Sequence, residues 1–536
     1  MTTAPLRLAG MPASPGFACG PLHLLDEDLQ SRGREHGSPF EEERCLREAL
    51  LAAATELGEL IERSVDIDEK AILEFQIAML EDETLTAPVF EAIGRALGAG
   101  DAWRAALDVE IKSYVEAEDA YFQARATDLR DVRDRVLRCL SGTSAAAVPA
   151  GAIVIAADLA PSRFLEIAWQ GGGIALFDGS PHSHVATLAR ARGVPMIVGM
   201  TRATLAAHDV VLLDAERGFL IASPDREASD AFERRRRAAQ VSALADRAFI
   251  TAPAVTASGE RIEVLLNVAH PGELAGLEPA HCDGIGLVRT ELVLRTIPDL
   301  ADEERQFEQY LRIVAWAQGK PVTFRTLDAG GDKPIDGYTI ASERNPFLGM
   351  RGVRLSLLHA DLFEAQLRAL ARVAAIGEVK ILVPMVTRPW ELRKVRVLLQ
   401  KAVDDVRRTG VPCAAPKLGM MVEVPAAALA IDEFEADFFS IGSNDLIQYV
   451  TACSRDSDRL ATLTEPLQPA ILRLIGSVAD FGRRNKIEVS LCGDMASEPR
   501  TLRALLALGL RRFSIAPAAL GPVKATIARF DGSRVA

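Results

Sequence analysis

From Phe40 to Leu140 the apolar residues recur every three or four positions; Leu50, Leu51, Ala54, Leu57, Leu60 and Ile61 mark one such stripe. That spacing gives a helix one apolar face, and Gly and Pro are sparse here. Short linkers such as Gly98-Ala99-Gly100 predict an antiparallel helical bundle. The flanking segments read differently. Residues 1–24 are rich in Gly and Pro and predict a strand plus turns. Residues 145–224 carry short β-like runs at Ala152–Ile155, Gly173–Phe177 and Val210–Leu213, with one helix starting near His184. Residues 226–249 predict a single charged helix bridging two bodies, its Arg234–Arg237 run forming a solvated face.

Beyond residue 253 short apolar strands alternate with amphipathic helices. The strand candidates are Ile262–Val268, Gly284–Val288, Val322–Leu327, Ile381–Val386, Leu418–Val424, Phe438–Ile441, Ile487–Leu491 and Arg512–Ile515. Eight strands separated by helices in such a length is the arithmetic of a (β/α)8 barrel. Barrel enzymes carry their chemistry just after the C-terminal ends of the strands. Arg289, Arg325, Glu423, Asn444, Asp445 and Cys492 all fall there. A single arginine after a strand is commonly a surface ion pair, a single cysteine a small buried apolar residue, and Asn-Asp a turn or cap. Their joint position on one rim is what gives the set weight. Guanidinium groups bind phosphate and carboxylate. Two carboxylates suit Mg²⁺, and a thiol delivers a proton. The set describes a site for a small, phosphorylated carboxylic acid.

In the α/β segment, Phe177 to Arg190 runs from a strand through a tight loop into a helix. His184 falls at the helix start with Ser183 as candidate N-cap, where amides and the helix dipole favour a phosphoryl group on the imidazole. A neutral imidazole is a nucleophile. His182 competes for the role and reads as a loop residue; Arg190 is within reach on the helix.

These residues resemble enzyme I of the phosphoenolpyruvate-dependent sugar phosphotransferase system over nearly the whole chain. The similar stretches are Gly10–Gly16, Arg125–Val132, Ser183-His184 with Arg190, Gly284–Glu291, Arg325–Lys333, Asn345–Arg351, Met421–Pro425, Ile441–Tyr449, Arg455 and Cys492-Gly493. The Ser-His spacing to Arg190 selects His184 over His182. The resemblance implies a multidomain α/β protein. Residues 1–24 and 145–224 would form a swivelling phosphohistidine domain, interrupted by a helical phosphocarrier-binding domain at 38–141. Residues 225–251 would be a linker helix, and 253–536 a phosphoenolpyruvate-binding, dimerising TIM barrel.

By the same resemblance, Glu423 and Asp445 hold Mg²⁺, and Arg289, Arg325, Arg351, Asn444 and Arg455 hold phosphoenolpyruvate. His184 takes the phosphoryl group, and Cys492 protonates the enolate to give pyruvate. A small histidine-containing phosphocarrier of the HPr type is the next acceptor, and a homodimer through the barrel is expected. Four departures stand out: Ala160 where Thr is usual, Asp178 in place of Gly, Asp494 in place of Glu, and Gln468 where His is frequent. They leave open a nitrogen- or fructose-linked regulatory branch. A dikinase-type enzyme would need a nucleotide-binding domain ahead of the histidine domain, where this chain has a helical pattern without a Gly-rich phosphate loop. A non-catalytic phosphoenolpyruvate sensor would not require His184, the paired carboxylates and Cys492 together.

Composition adds little until it is divided. The 536 residues suggest three or four folding units at roughly 150 residues each. Hydrophobic residues at 49% and charged residues at 25% fit a globular protein. Seven scattered cysteines without a C-x-x-C pair support neither a disulfide framework nor a Cys-based zinc site, so a cytoplasmic protein is expected. Neither a basic, apolar leader nor an apolar run long enough to span a membrane is present. The formal net charge of −13 disfavours nucleic acid as a partner. Residues 41–140 hold 24 Asp+Glu against 12 Lys+Arg, so nearly all of that charge belongs to the helical segment.

Overall fold

The computed structural model describes residues 5–25, 37–64, 67–116, 120–143, 147–179, 181, 183–203, 205, 210–269, 271–292, 294–331, 333–340, 343–454, 460 and 463–532, without the side chains of 67–69, 71, 115, 116, 120–125, 184, 191 and 292. The chain divides into two compact units, residues 1–238 and 239–536.

The first unit is built on an eight-stranded sheet: β1 (Leu6–Ala9), β2 (Met11–Ser14), β3 (Phe17–Leu24), β4 (Ile153–Ala156), β5 (Gly173–Leu176), β6 (Met196–Val198), β7 (Val210–Asp214) and β8 (Phe219–Ala222). Their spatial order is β1-β8-β7-β3-β4-β5-β6-β2. The centre, β3 to β6, is parallel and the remaining pairings are antiparallel. β4 and β5 are buried at every residue, which is why they read as unbroken apolar runs rather than alternating ones.

Residues 1–24, expected to hold one strand, hold three. Gly10 separates the first two, where a Cβ would lie 2.9 Å from the Val198 carbonyl oxygen. Gly16, at φ 135°, separates the second from the third. The short strands β6 and β8 gave too few residues for a periodic signal, and each follows a breaker, Pro195 or Gly218.

Five helices are inserted between β3 and β4: α1 (Pro39–Arg63), α2 (Ile67–Glu81), α3 (Glu83–Gly94), α4 (Ala99–Glu116) and α5 (Ala120–Ser141). Ser38 and Glu41 form a capping box at the start of α1, and Leu46, Ala49, Ala53, Leu57 and Leu60 are its buried stripe. Gly98-Ala99-Gly100 is not a linker. α4 begins inside it, and the Ala99 amide donates to the buried Glu42 carboxylate at 2.9 Å.

Two shorter helices follow, α6 (Pro161–Glu166) and α7 (His184–Arg192), and α8 (Arg226–Arg247) carries the chain into the second unit. The Arg234–Arg237 run is not wholly a solvated face. Arg235 ion-pairs with the buried Asp214, and its guanidinium lies 5.3 Å from the Phe17 ring centre.

The second unit is a closed parallel barrel, ordered β10-β11-β12-β13-β14-β15-β16-β9. The strands are β9 (Glu263–Val268), β10 (Ile285–Arg289), β11 (Val322–Arg325), β12 (Val379–Val383), β13 (Lys417–Val422), β14 (Phe438–Gly442), β15 (Glu488–Cys492) and β16 (Arg512–Ile515). β12 lies earlier than the expected Ile381–Val386, because the chain turns at Met385, whose φ is 59°. β11 stops at Arg325, leaving Leu327 and Asp328 in the loop on the rim.

Candidate active site

Parallel strands of a barrel all end on the same side, so residues just past each end share one rim. Arg289 and Arg325 are the last residues of β10 and β11, and Cys492 is the last of β15. Glu423 follows β13, and Asn444 and Asp445 open the helix Ser443–Thr451 directly after β14. Arg351 reaches the same place from the long β11–β12 connection, 1% exposed.

A continuous ionic chain links these groups. Lys333 pairs with Glu291 at 2.8 Å, and Glu291 with Arg325. Arg325 reaches Asp328 at 3.2 Å, and Asp328 pairs with Arg351 at 3.0 Å. Arg351 then meets Asp445 at 2.8 Å. Burial opposes charge on Glu291, Arg325, Asp328 and Arg351, and the neighbours outweigh it. Arg325 and Lys333 hold the Glu291 carboxyl down at about 2, and Glu291 and Asp328 hold the Arg325 guanidinium above its ordinary range. Glu291, Arg325, Asp328 and Arg351 are therefore held ionised although almost dry. Such an array is strongly preorganised, and removing one partner strands the next.

Glu423 behaves oppositely. Burial, and then the carboxylates of Asp445 and Asp328, push its carboxyl up to about 8. Its Oε1 accepts a 2.6 Å bond from the amide of Met385, a residue held in the left-handed backbone region. Crowded carboxylates with too little positive charge among them suit a divalent cation, and an all-oxygen donor pair suits Mg²⁺ rather than a softer metal. The described residues hold no cluster of three or more His, Cys, Asp or Glu that would cage a metal alone. Glu423 and Asp445 thus fit a site that takes its remaining ligands from substrate and water.

Cys492 is 2% exposed, and burial raises its thiol above the ordinary range, so the group stays protonated. Its Sγ donates to the Ile441 carbonyl at 3.4 Å and accepts from Ser440 Oγ at 3.6 Å. The positive charges of Arg325 and Arg289 act on the thiol from nearby. Asn444 is tied to Asp494 twice: its Nδ2 donates to the carboxylate at 3.2 Å, and its Oδ1 accepts from the Asp494 amide at 3.0 Å. Gly493, at φ 99°, makes room for this, since a Cβ there would lie 2.6 Å from Asn444 Oδ1.

In the first unit His184 is the first residue of α7, and its side chain lies outside the described residues. Ser183 caps the helix by accepting from the Ala186 amide at 3.2 Å, and Gly193 ends it at φ 64°. Arg190 fastens the preceding loop, donating to the carbonyls of Ala13 and Pro181, each at 2.7 Å. Arg455 and His182 also lie outside the described residues.

Three family descriptions match successive parts of the chain. "PEP-utilising enzyme, N-terminal" covers residues 9–125, the enzyme's "mobile domain" 148–218 and its "PEP-binding domain" 245–531. A phosphoenolpyruvate-protein phosphotransferase of Geobacillus stearothermophilus is 35% identical over 532 residues, covering 97% of this chain and 92% of that protein. One from Listeria innocua is 33% identical over 543 residues, covering 99% and 95%. The chain belongs to the phosphoenolpyruvate-protein phosphotransferase family. A solution structure of Enzyme I is 26% identical, covers 44% of this chain and 99% of that one, and has a TM-score of 0.36.

Within this family member, the four departures have local physical correlates. Ala160 sits at the N-cap of α6 and leaves it without a side-chain cap. Asp178 pairs with Arg202 at 2.7 Å on the surface. Asp494 is the partner of Asn444. Gln468 precedes the helix Pro469–Asn485 and turns its amide back to the Leu463 carbonyl. Sequence reasoning assigned no role to Glu291, Asp328, Lys333 and Tyr449, although all lie inside the stretches it singled out. Charged residues within a few positions of Arg289 and Arg325 were the available signal.

Proposed function

We propose that this chain transfers the phosphoryl group of phosphoenolpyruvate to His184 and from there to a histidine of a small phosphocarrier protein, releasing pyruvate. The observation that carries the reading is the buried ionic chain on the barrel rim, which ends at Asp445, with the buried Cys492 thiol on the same rim, in a chain of this family. Arg289 makes no ion pair or hydrogen bond with another described residue, and the Nε of Arg325 is buried without a partner. Both guanidinium groups are therefore available to the phosphate and carboxylate of the substrate. Asn444 is held for the same purpose by Asp494, and Arg455 completes the anion set.

Glu423 and Asp445 would hold Mg²⁺, which when bound offsets charge on the substrate oxygens. The imidazole of His184 attacks phosphorus as the bond to the enolate oxygen breaks, so the enolate keeps that electron pair. Positioning and charge neutralisation supply most of the acceleration. The Cys492 thiol gives its proton to the methylene carbon, forming pyruvate, and solvent reprotonates the thiolate.

The acidic helical segment suits a basic partner, which its field would steer. Phe40 and Leu51 of α1 are largely exposed and give such a partner an apolar anchor. A homodimer through the barrel follows the family expectation; exposed Trp390 and Val397, on one face of the helix Pro389–Arg408, support it. No helix among the described residues is long and apolar enough to cross a membrane, and the proposed site of action is the cytoplasm.

The test is to incubate the protein with Mg²⁺ and labelled phosphoenolpyruvate, without nucleotide, and to map the label. Acid-labile phosphate on His184, absent from His184→Ala, is expected. A requirement for ATP, or label persisting in His184→Ala, overturns the reading.

A further inference from the structure

Arg351 has five N–H donors, and all five are used inside the protein. Nε donates to Asp328 Oδ1 at 3.1 Å, and Nη2 to Asp328 Oδ2 at 3.0 Å. Nη1 donates to Asp445 Oδ1 at 2.8 Å, and Nη2 to Asp445 Oδ2 at 3.2 Å. The fifth goes from Nη1 to the Tyr449 hydroxyl at 3.2 Å, and that hydroxyl donates in turn to the Phe347 carbonyl at 2.6 Å. A guanidinium so saturated has nothing left for a phosphate or a carboxylate. It also occupies both oxygens of Asp445, one of the two carboxylates assigned above to the metal.

We infer that Arg351 is a positioning residue, the built-in counter-cation of Asp445, which it releases when a divalent cation binds. The inference rests on the reading of Asp445 as a metal ligand. Asp328 is the anchor of the exchange. Its two bonds to Arg351 use Nε and one Nη2 hydrogen, so letting go of Asp445 leaves the side chain held. The backbone around Arg351 has little freedom. A Cβ on Gly330 would come within 2.7 Å of the Met350 carbonyl oxygen, and Gly352 is fixed at φ 58° with its amide on the Ala329 carbonyl. Only the far end of the side chain is left to move.

The charges explain why an exchange is needed. Lys333, Arg325 and Arg351 match Glu291, Asp328 and Asp445 one for one before anything binds. Asp445 is thereby paired and aimed rather than stranded in a dry site. Once it takes a metal, the two donors it gives up become available to an anion on the same rim. Metal and anionic substrate then bind with positive coupling through one side chain, and the coupling is reciprocal.

The experiment measures Mn²⁺ affinity of the full chain by electron paramagnetic resonance, without substrate, so that turnover plays no part. Arg351→Met removes the competing cation and should tighten Mn²⁺ by about tenfold, a small share of what one charge at this range is worth. Tyr449→Phe removes only the outer perch and should tighten it by about two- to threefold, in a protein whose fold is left intact. Weaker Mn²⁺ binding in both variants would mean that Arg351 merely orients Asp445, and would overturn the exchange. Unchanged Mn²⁺ affinity in both, with phosphoenolpyruvate binding lost, would make Arg351 a simple substrate ligand and overturn it too. Asp445→Asn separates the two readings: retained Mn²⁺ binding there defeats the metal-site assignment itself. Lost binding there, with no tightening in Arg351→Met, defeats the exchange alone.

Discussion

Replacing Cys492 by Ala tests the chemistry at its most exposed assumption. The thiol is fully buried and makes two long hydrogen bonds through sulfur, at 3.4 Å to Ile441 and 3.6 Å from Ser440. Removing one buried sulfur costs about 1 kcal/mol of folding free energy, comparable with a buried methylene, so the protein should stay folded. The rim arginines do not depend on the thiol; Arg325 is held by Glu291 and Asp328. Phosphoenolpyruvate affinity should therefore change by less than about threefold, which is under ~0.7 kcal/mol. Loss of a positioned general acid should lower kcat by about 10²- to 10⁴-fold. Steady-state pyruvate release gives kcat, and equilibrium dialysis in a His184→Ala background gives affinity without turnover. A second readout is stereochemical. Phosphoenolpyruvate stereospecifically labelled at its methylene, turned over in isotopic water, should give one configuration of the labelled methyl group with the parent protein and a mixture with the variant. The proton-donor role fails if affinity falls in step with kcat, or if the variant still delivers its proton to one face. Because burial raises the thiol above its ordinary value, no alkaline loss of kcat should arise from Cys492 below that value.

Three further outcomes are expected. Arg135, 1% exposed, joins α5 to α6 by donating to Ser162 Oγ at 2.8 Å and pairing with Glu166, and it also meets Glu56 at 2.6 Å. Arg135→Met should cost about 3–5 kcal/mol in urea unfolding of the first unit, whereas breaking the exposed pair of Arg47 and Glu43 should cost under ~1 kcal/mol. Burial, and then Arg512, push the Lys380 amine down to about 8. A base depressed in the folded state binds fewer protons there than when unfolded, so its contribution to stability rises from about pH 8 to about pH 10.4. The urea midpoint of the second unit should rise over that window relative to Lys380→Met, and parallel pH profiles would refute it. Phosphoryl transfer to the phosphocarrier should slow as ionic strength rises, and a salt-insensitive rate would remove the steering role of the acidic helices.

The barrel was legible because its strands are largely buried, apolar-rich runs of four to six residues, with charged residues ending β10 and β11 and following β13. Arg512–Ile515 coincides with β16 to the residue. Errors arose where a loop keeps an apolar character: Leu327 and Val386 are buried beyond the ends of β11 and β12, so composition alone extended those strands. The one- and two-residue gaps among β1, β2 and β3 were illegible for another reason. Their pairing is set by β6, β7 and β8, which are distant in sequence. At the site, residue type and strand position were enough to gather Arg289, Arg325, Glu423, Asn444, Asp445 and Cys492. The saturation of Arg351 could not be read this way, since it depends on where five donors point.

The route of the chain through the first sheet also bears on how such proteins are assembled from parts. Leu22 of β3 lies in register beside Ile153 of β4, so the whole helical insertion leaves and re-enters between adjacent strands. The two strands are parallel, so the chain must cross from the end of one back to the start of the other, a connection of about a dozen residues or more, and the helical insertion supplies that crossover. The insertion can therefore be exchanged as a cassette for one with a different docking surface without altering the strand order of the sheet around the histidine loop. The fixed condition is the seam of Asp131, Arg135, Ser162 and Glu166. An incoming helical segment that reproduced it would give the same transfer unit a new recipient.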